Sequence, residues 1–145
     1  IYTVVGIGAM MLSGIALDRL GTARLIPLYQ LPLIVGFAVF SMSGSLLHVA
    51  IGFMFLGLTT GANSTLPNAF WAEFYGTRNI GSIKAMATAV MVLGSALGPG
   101  VTGVLIDIGV PLTTQFMGIA FYFAFASTMV WIGIQRTRRS LPNFA

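Results

Sequence analysis

Residues 14–24 read Gly-Ile-Ala-Leu-Asp-Arg-Leu-Gly-Thr-Ala-Arg, a short charged stretch between two long apolar runs. Its two arginines belong to a wider pattern. All seven basic residues of the chain lie in the first connection between apolar runs, in the third connection or in the tail: Arg19, Arg24, Arg78, Lys84, Arg136, Arg138 and Arg139. The second and fourth connections contain no Lys or Arg. This alternation is the positive-inside pattern of a multi-spanning membrane protein, and it predicts that the first and third connections and the tail are cytoplasmic.

The composition also indicates a membrane protein. Of the 145 residues, 57% are hydrophobic and 7% are charged, which leaves too little polar surface for a soluble domain. The net charge of +4 could suggest a nucleic-acid partner, but the basic residues lie in membrane-flanking turns rather than in a patch interleaved with exposed aromatic residues. We therefore expect the chain to lie in the lipid bilayer and to bind no nucleic acid.

The residue types argue against catalysis and metal binding. The chain has no cysteine, one histidine and three carboxylates, so disulfides and thiolate metal sites are excluded and a metal cage built by the protein is not expected. An intramembrane serine protease would need a Gly-x-Ser-Gly motif and a histidine within the membrane. Here Met11-Leu12 precede Ser13-Gly14, and His48 lies in an outer turn. We predict no catalytic residue, no metal ligand and no cofactor.

A membrane-spanning helix needs about 20 mostly apolar residues, and five segments reach or approach this length. They cover residues 1–17, 25–45, 47–71, 82–106 and 114–135. The chain starts at Ile1 inside an apolar run, without a basic region or a cleavage site, so we interpret it as a fragment and not as a chain with a signal peptide. The predicted fold is all-α, a polytopic membrane protein with five transmembrane helices.

The third segment carries a polar stripe, defined by Thr59, Thr60, Asn63, Ser64 and Asn68. At about 100° per residue these side chains fall within one half of the helix surface. Two asparagines cost more in hydrocarbon than hydroxyls, which can bond back to their own helix. The stripe therefore predicts a polar cavity, with Thr60, Asn63, Ser64 and Asn68 as candidate substrate residues, and helix packing is the alternative.

The fourth segment has a weaker polar pattern and a possible hinge. Ser95 lies on one stripe with Thr88 and Thr102 and is a further cavity candidate, although helix packing explains such hydroxyls equally well. The sequence Gly98-Pro99-Gly100 removes a backbone donor and predicts either a hinge or a static kink. Two glycine pairs have the spacing for close helix contact: Gly57-x3-Gly61 and Gly94-x3-Gly98.

The second and fifth segments carry large apolar side chains nearly all round. These residues are Phe37, Phe40, Phe116, Phe121, Tyr122, Phe123 and Phe125. We predict that both segments face lipid, whereas the first, third and fourth segments face an interior.

The connections resemble those of a known family. Residues 14–24 are similar to the cytoplasmic loop signature of major facilitator superfamily (MFS) transporters, in which a glycine is followed four residues later by Asp-Arg, then by glycine and basic residues. The matching residues are Gly14, Asp18, Arg19, Gly21 and Arg24. Thr22 and Ala23 stand where the full signature has basic residues, as is typical of its weaker copy in the carboxy-terminal half. Residues 71–83 and 94–103 resemble the connection between spans ten and eleven, and span eleven, of bacterial members.

This resemblance implies that the five segments are spans eight to twelve of a twelve-span carrier, within a partial MFS helical bundle. Spans two to six of the amino-terminal half are the alternative register, because the two halves are related by pseudo-symmetry. The implied function is secondary active transport of a small polar or organic solute across the inner membrane by alternating access. The implied partners are the missing amino-terminal half and a small-molecule substrate. A non-transporting scaffold or receptor with the same fold is the alternative function.

The resemblance also implies a gating role for the first loop, at Asp18, Arg19 and Arg24. A carboxylate at a span end can form charge-assisted bonds with a neighbouring helix terminus, and such bonds would hold the cytoplasmic side closed. Glu73 and Arg78 could form a second such cluster. The alternative is that these charges only set topology and meet water. No ionisable residue lies near the middle of a segment, so this chain offers no candidate for proton coupling.

Overall fold

The computed structural model describes residues 1–42 and 44–140, and this part of the chain contains helices and turns but no strand. The helices are α1 (Tyr2–Leu20), α2 (Thr22–Leu25), α3 (Leu31–Ser41), α4 (Leu46–Asn63), α5 (Leu66–Tyr75), α6 (Ile80–Asp107) and α7 (Leu112–Ser140). Four stretches of the described chain are long and apolar enough to cross a membrane, and α3 is a shorter apolar helix. The prediction of an all-α polytopic membrane protein is confirmed.

Prolines divide two of the five predicted segments. Residues 26–30, between α2 and α3, form turns in the region of Pro27 and Pro32, which cannot donate the backbone hydrogen bonds of a continuous helix. The third predicted segment breaks between α4 and α5, just before Pro67. Its two helices still follow one another closely, and Leu46–Tyr75 forms a stretch of 30 residues with the length and apolarity of a span.

Helix α4 lies between α1 and α3, and glycines allow close approach on both sides. A Cβ atom added at Gly57 would lie 2.7 Å from the Tyr2 carbonyl oxygen of α1. One added at Gly52 would lie 2.5 Å from the Phe40 ring of α3. The sequence predicted the contact at Gly57 and Gly61, and the structure confirms it. The contact at Gly52 was not anticipated.

A cluster of phenylalanine rings joins α3, α4 and α7. Phe37 stacks on Phe123 with ring centroids 6.1 Å apart, and Phe40 packs edge-on against Phe53 of α4 at 5.4 Å. Phe116 also packs against both α3 rings. The aromatic residues of the second and fifth segments therefore do not all face outward. Three of them are largely exposed: Phe121, Tyr122 and Phe125.

A small core closes one end of the bundle. Ile26, Leu66 and Ile134 pack together, and this brings the turn after α2, the start of α5 and the last part of α7 to one place. Arg24 and Arg136 lie close to these core residues in sequence. We call this end of the molecule the basic end.

Helix α6 stands apart from the rest of the described structure. None of its residues is buried, although it is 28 residues long and its sequence is strongly apolar. A Cβ atom at Gly94 or Gly98 would meet nothing within 4 Å among the described residues. The close helix contact predicted for this glycine pair is therefore not made within the described part of the chain.

Candidate functional site

The members of the polar stripe of the third predicted segment differ in solvent exposure. Thr59 is buried, and its hydroxyl donates to the Phe55 carbonyl oxygen. The other four members are exposed: Thr60, Asn63, Ser64 and Asn68. The four candidate substrate residues thus lie on an open face at the junction of α4 and α5.

Three of these four side chains donate to the backbone carbonyl four residues earlier. Thr60 Oγ1 donates to the Leu56 carbonyl at 2.9 Å, Ser64 Oγ donates to the Thr60 carbonyl at 3.2 Å, and Asn68 Nδ2 donates to the Ser64 carbonyl at 3.0 Å. Thr60 also accepts a hydrogen bond from the Tyr2 hydroxyl of α1 at 2.9 Å. Donation to the preceding turn satisfies hydroxyl protons without a ligand, so it reduces what Thr60 and Ser64 can offer to a solute.

Asn63 is the exception in this stripe. Its side chain is exposed and has no hydrogen-bond partner among the described residues. Its backbone carbonyl also lacks the usual helical donor four residues later, because residue 67 is proline. An amide with two donor hydrogens and an acceptor oxygen therefore lies beside a carbonyl that lacks its usual helical donor.

The depth of Asn63 can be estimated from the helical rise. Asn63 lies 17 residues after Leu46 and 12 before Tyr75 in the 30-residue apolar stretch, or about 26 Å and about 18 Å from its two ends. The amide is therefore close to the middle of the span.

On α6 the candidate residues face open space. Ser95 is exposed, and its hydroxyl donates to the Met91 carbonyl at 2.9 Å. The helix runs without interruption through Gly98, Pro99 and Gly100. The structure does not bring Ser95 to the polar stripe of α4 and α5, and the hinge stays a prediction.

The charged residues of the two predicted gate clusters lie on the surface. The exposed charged members are Asp18, Arg19, Arg24, Glu73 and Arg78. None of the five forms an ion pair with another described residue. Gly21 ends α1 and adopts φ +74°, a left-handed backbone conformation that favours glycine, while Gly14 lies inside α1. This explains the glycine after Asp-Arg: it turns the chain sharply into α2.

A hydrogen bond that was not anticipated joins the two clusters. Thr22 Oγ1 donates to Glu73 Oε2, and Thr22 is 3% exposed. Thr22 departs from the basic residue of the loop signature, and a neutral donor here still holds the Glu73 carboxylate. The first loop and α5 are therefore connected through Thr22 rather than through Arg19 or Arg24.

A second unanticipated hydrogen bond ties α7 to the start of α3. Ser127 Oγ donates to Gln30 Oε1 at 3.2 Å, and Ser127 is buried. The partners are 97 residues apart, so no local sequence signal could pair them. Ser127 therefore has a structural role in the aromatic fifth segment.

The comparison with protein families agrees with this architecture. The family model described as Major Facilitator Superfamily matches residues 1–145, the full length of the chain. The chain belongs to the major facilitator superfamily. Comparisons with curated proteins and with solved structures gave no match. MFS proteins are transporters and not enzymes, so membership places this chain in a transport protein.

The side chains of this MFS chain give no sign of metal chemistry in its described part. Within residues 1–42 and 44–140, no group of three or more His, Cys, Asp or Glu residues could hold a metal ion.

Proposed function

We propose that this chain forms spans eight to twelve of a secondary active transporter. It would move a small polar or organic solute across the inner membrane by alternating access. In this assignment α1 is span eight, α3 belongs to span nine, α4 and α5 form span ten, α6 is span eleven and α7 is span twelve. The basic end faces the cytoplasm, and so does the carboxy terminus.

One feature supports the second half over the first: the loop signature is incomplete at Thr22 and Ala23, as is typical of the carboxy-terminal copy. The polar residues of the third and fourth segments agree with two neighbouring spans that line a cavity, in either half. The partner that would cover α6 and complete this cavity is the amino-terminal half.

The main observation in support of the transport proposal is the environment of the Asn63 side chain. A lone amide in hydrocarbon is costly, and a protein retains such a group where it lines a polar cavity or binds a solute. Asn63 is exposed, lacks a described partner and lies near the middle of the span. Its amide can donate and accept at once, so it can replace part of the hydration shell of a polar solute.

The test is transport by the full-length protein in proteoliposomes, measured with a panel of labelled polar solutes. We expect saturable flux of at least one solute. For that solute, Asn63→Ala should raise KM by about ten-fold or alter substrate preference, because one hydrogen bond to the solute is lost. The maximal rate per inserted molecule should change much less.

Thr128→Ala is the matched control. Thr128 is exposed on α7, and its hydroxyl bonds to the Ala124 carbonyl of its own helix, so its replacement should leave KM unchanged. Ser127→Ala is unsuitable as a control because Ser127 is buried and bonds to Gln30. Absence of flux for every solute would favour a scaffold or receptor. A KM unaffected by Asn63→Ala would move the substrate site to α1, α6 or the other half.

A further inference from the structure

A depression of about 290 Å³ opens at the basic end between α2 and α7. It is lined by Ala23, Arg24, Leu28, Trp131, Ile134 and Gln135. None of the polar-stripe residues lines it, so it is separate from the candidate substrate face. It combines a cation, an amide and an indole ring at one end of the bundle.

An apolar groove of about 300 Å³ adjoins this depression and runs along α3 and α7. Leu28 and Trp131 line both, so the two spaces meet at these side chains. From there the groove continues past Leu31 and Ile34 on one side and Ala124 on the other, and the hydroxyl residues Ser127 and Thr128 of α7 also line it. The combined site has its cation at one end and is lined mainly by apolar side chains along the rest.

The groove covers much of one leaflet of a bilayer. From Ala124 to Trp131 is seven residues, or about 10 Å along α7. Half of a hydrocarbon core of about 30 Å is about 15 Å. A lipid whose headgroup lay beside Arg24 would thus have its acyl chain along the groove for about two thirds of the depth of its leaflet.

The charges at the polar end favour an anion. The Arg24 guanidinium forms no ion pair or hydrogen bond with another described residue, and the Gln135 amide is exposed. No described residue lining either space is acidic, and the next residue after Gln135 is Arg136. Guanidinium and amide donors suit phosphate oxygens, while Trp131 is a residue type that favours the headgroup layer.

We propose that the depression and the groove together form a binding site for an anionic phospholipid. The Arg24 guanidinium and the Gln135 amide hold the headgroup phosphate, and one acyl chain lies between α3 and α7. The site sits on α2, α3 and α7, so an occupying lipid bridges the first loop and the last span. This assignment requires membrane insertion only and is independent of any transport activity.

The test uses the full-length protein in vesicles made of equal parts of phosphatidylcholine and phosphatidylglycerol. A photoreactive amino acid replaces Leu28, which lines both spaces, and mass spectrometry counts the adducts of each lipid. The matched control carries the same group at Val130, which is exposed on the same helix as Trp131 and lines neither space. We expect the ratio of phosphatidylglycerol to phosphatidylcholine adducts to be about five-fold higher at Leu28 than at Val130.

Arg24→Gln should reduce the ratio at Leu28 to that at Val130, Arg24→Lys should retain most of it, and Arg78→Gln should not alter it. Arg78 is an exposed arginine of the other basic connection and does not line the site. If the group at Leu28 impairs insertion, Leu31 is the second labelling position because it lines the groove. Equal ratios at the labelled positions, or a ratio unaffected by Arg24→Gln, would overturn the proposal. Loss of the adduct in the presence of soluble glycerol phosphate would also overturn it, because the site would then take a free phosphate.

Discussion

At the scale of single residues, the loop after α1 uses different residues for its turn and for its contact with α5. Gly21 provides the turn, and Thr22 connects the loop to α5 through Glu73. Asp18, Arg19 and Arg24 are then left exposed and without a described ion-pair partner. Arg24 belongs to the proposed lipid site, so Asp18 and Arg19 are the two charges that we propose to contact the other half of the transporter, where a gate would form.

Asp18→Asn tests the gate at this scale. If the Asp18 carboxylate stabilises a cytoplasm-closed state through charge-assisted bonds, its loss should shift the conformational equilibrium by about ten-fold. We expect transport by the full-length carrier to slow by a similar factor, while the inserted amount stays nearly constant. Flux per molecule in proteoliposomes, together with quantification of inserted protein, measures both.

Glu73→Gln removes the charge of Glu73 from the second predicted gate cluster and keeps an acceptor for the hydrogen bond from Thr22. The amide oxygen of the substituted side chain can still accept from Thr22, so the contact between the loop and α5 should persist while the charge is lost. Asp18→Asn with normal flux and normal insertion would leave Asp18 as a topology residue only.

At the scale of helices, α4 owes its position to glycines on two faces. Gly57 and Gly61 face α1, and Gly52 faces the Phe40 ring of α3. In lipid there is no hydrophobic force between helices, so this close packing of small residues is a main source of association.

Gly61→Ala should therefore destabilise the full-length protein. The added Cβ atom would lie 2.7 Å from Ala9 Cβ and would force α1 and α4 apart. Overpacking of this kind costs about 1–3 kcal/mol, and unfolding of the purified protein with increasing denaturing detergent measures it. Gly8→Ala on α1 is the control because nothing lies within 4 Å of its added Cβ, so it should not destabilise the protein. Equal losses of stability in the two variants would contradict close packing at Gly61.

The bounds of a helix were predictable from sequence where one long apolar run determines them. The predicted segments 82–106 and 114–135 lie within α6 and α7, because each is one uninterrupted apolar run. A window of about 20 apolar residues cannot register the breaks at Pro27, Pro32 and Pro67, which leave apolarity unchanged. The spacing of Gly57 and Gly61 was readable, whereas the pairing of Gly52 with Phe40 depends on which helix becomes the neighbour.

At the scale of the whole molecule, the basic residues predict an orientation that labelling can test. The chain has no cysteine, so single cysteines can be introduced at will in this part of the protein. Cysteines at Ser45 and Thr113 should react with an impermeant reagent outside intact cells, and cysteines at Leu20 and Thr77 should not. All four positions are exposed. The inside positions should react after the cells are opened, and reversed labelling would overturn the orientation.

Thr22 is unsuitable for this experiment, although the sequence suggests a loop position. It is 3% exposed and bonds to Glu73, so a cysteine there would stay unlabelled on either side of the membrane.

The candidate site could be predicted from the sequence only in part. The polarity of the third segment indicated Asn63, but it could not show that Thr60, Ser64 and Asn68 donate to the carbonyl four residues earlier while Asn63 does not. Those differences depend on side-chain rotamers, which polarity does not determine.

The isolation of α6 has a consequence for how the protein is made. A helix that buries no residue against the preceding ones gains little from them when it leaves the translocon. Its two charged residues, Lys84 and Asp107, lie in its first turns and at its last position, so the 22 residues between them are uncharged. Helix α6 can therefore insert into the bilayer independently, and it can remain surrounded by lipid until another helix packs against it. We therefore expect biogenesis of this part of the protein to proceed in two separable steps, insertion first and assembly afterwards.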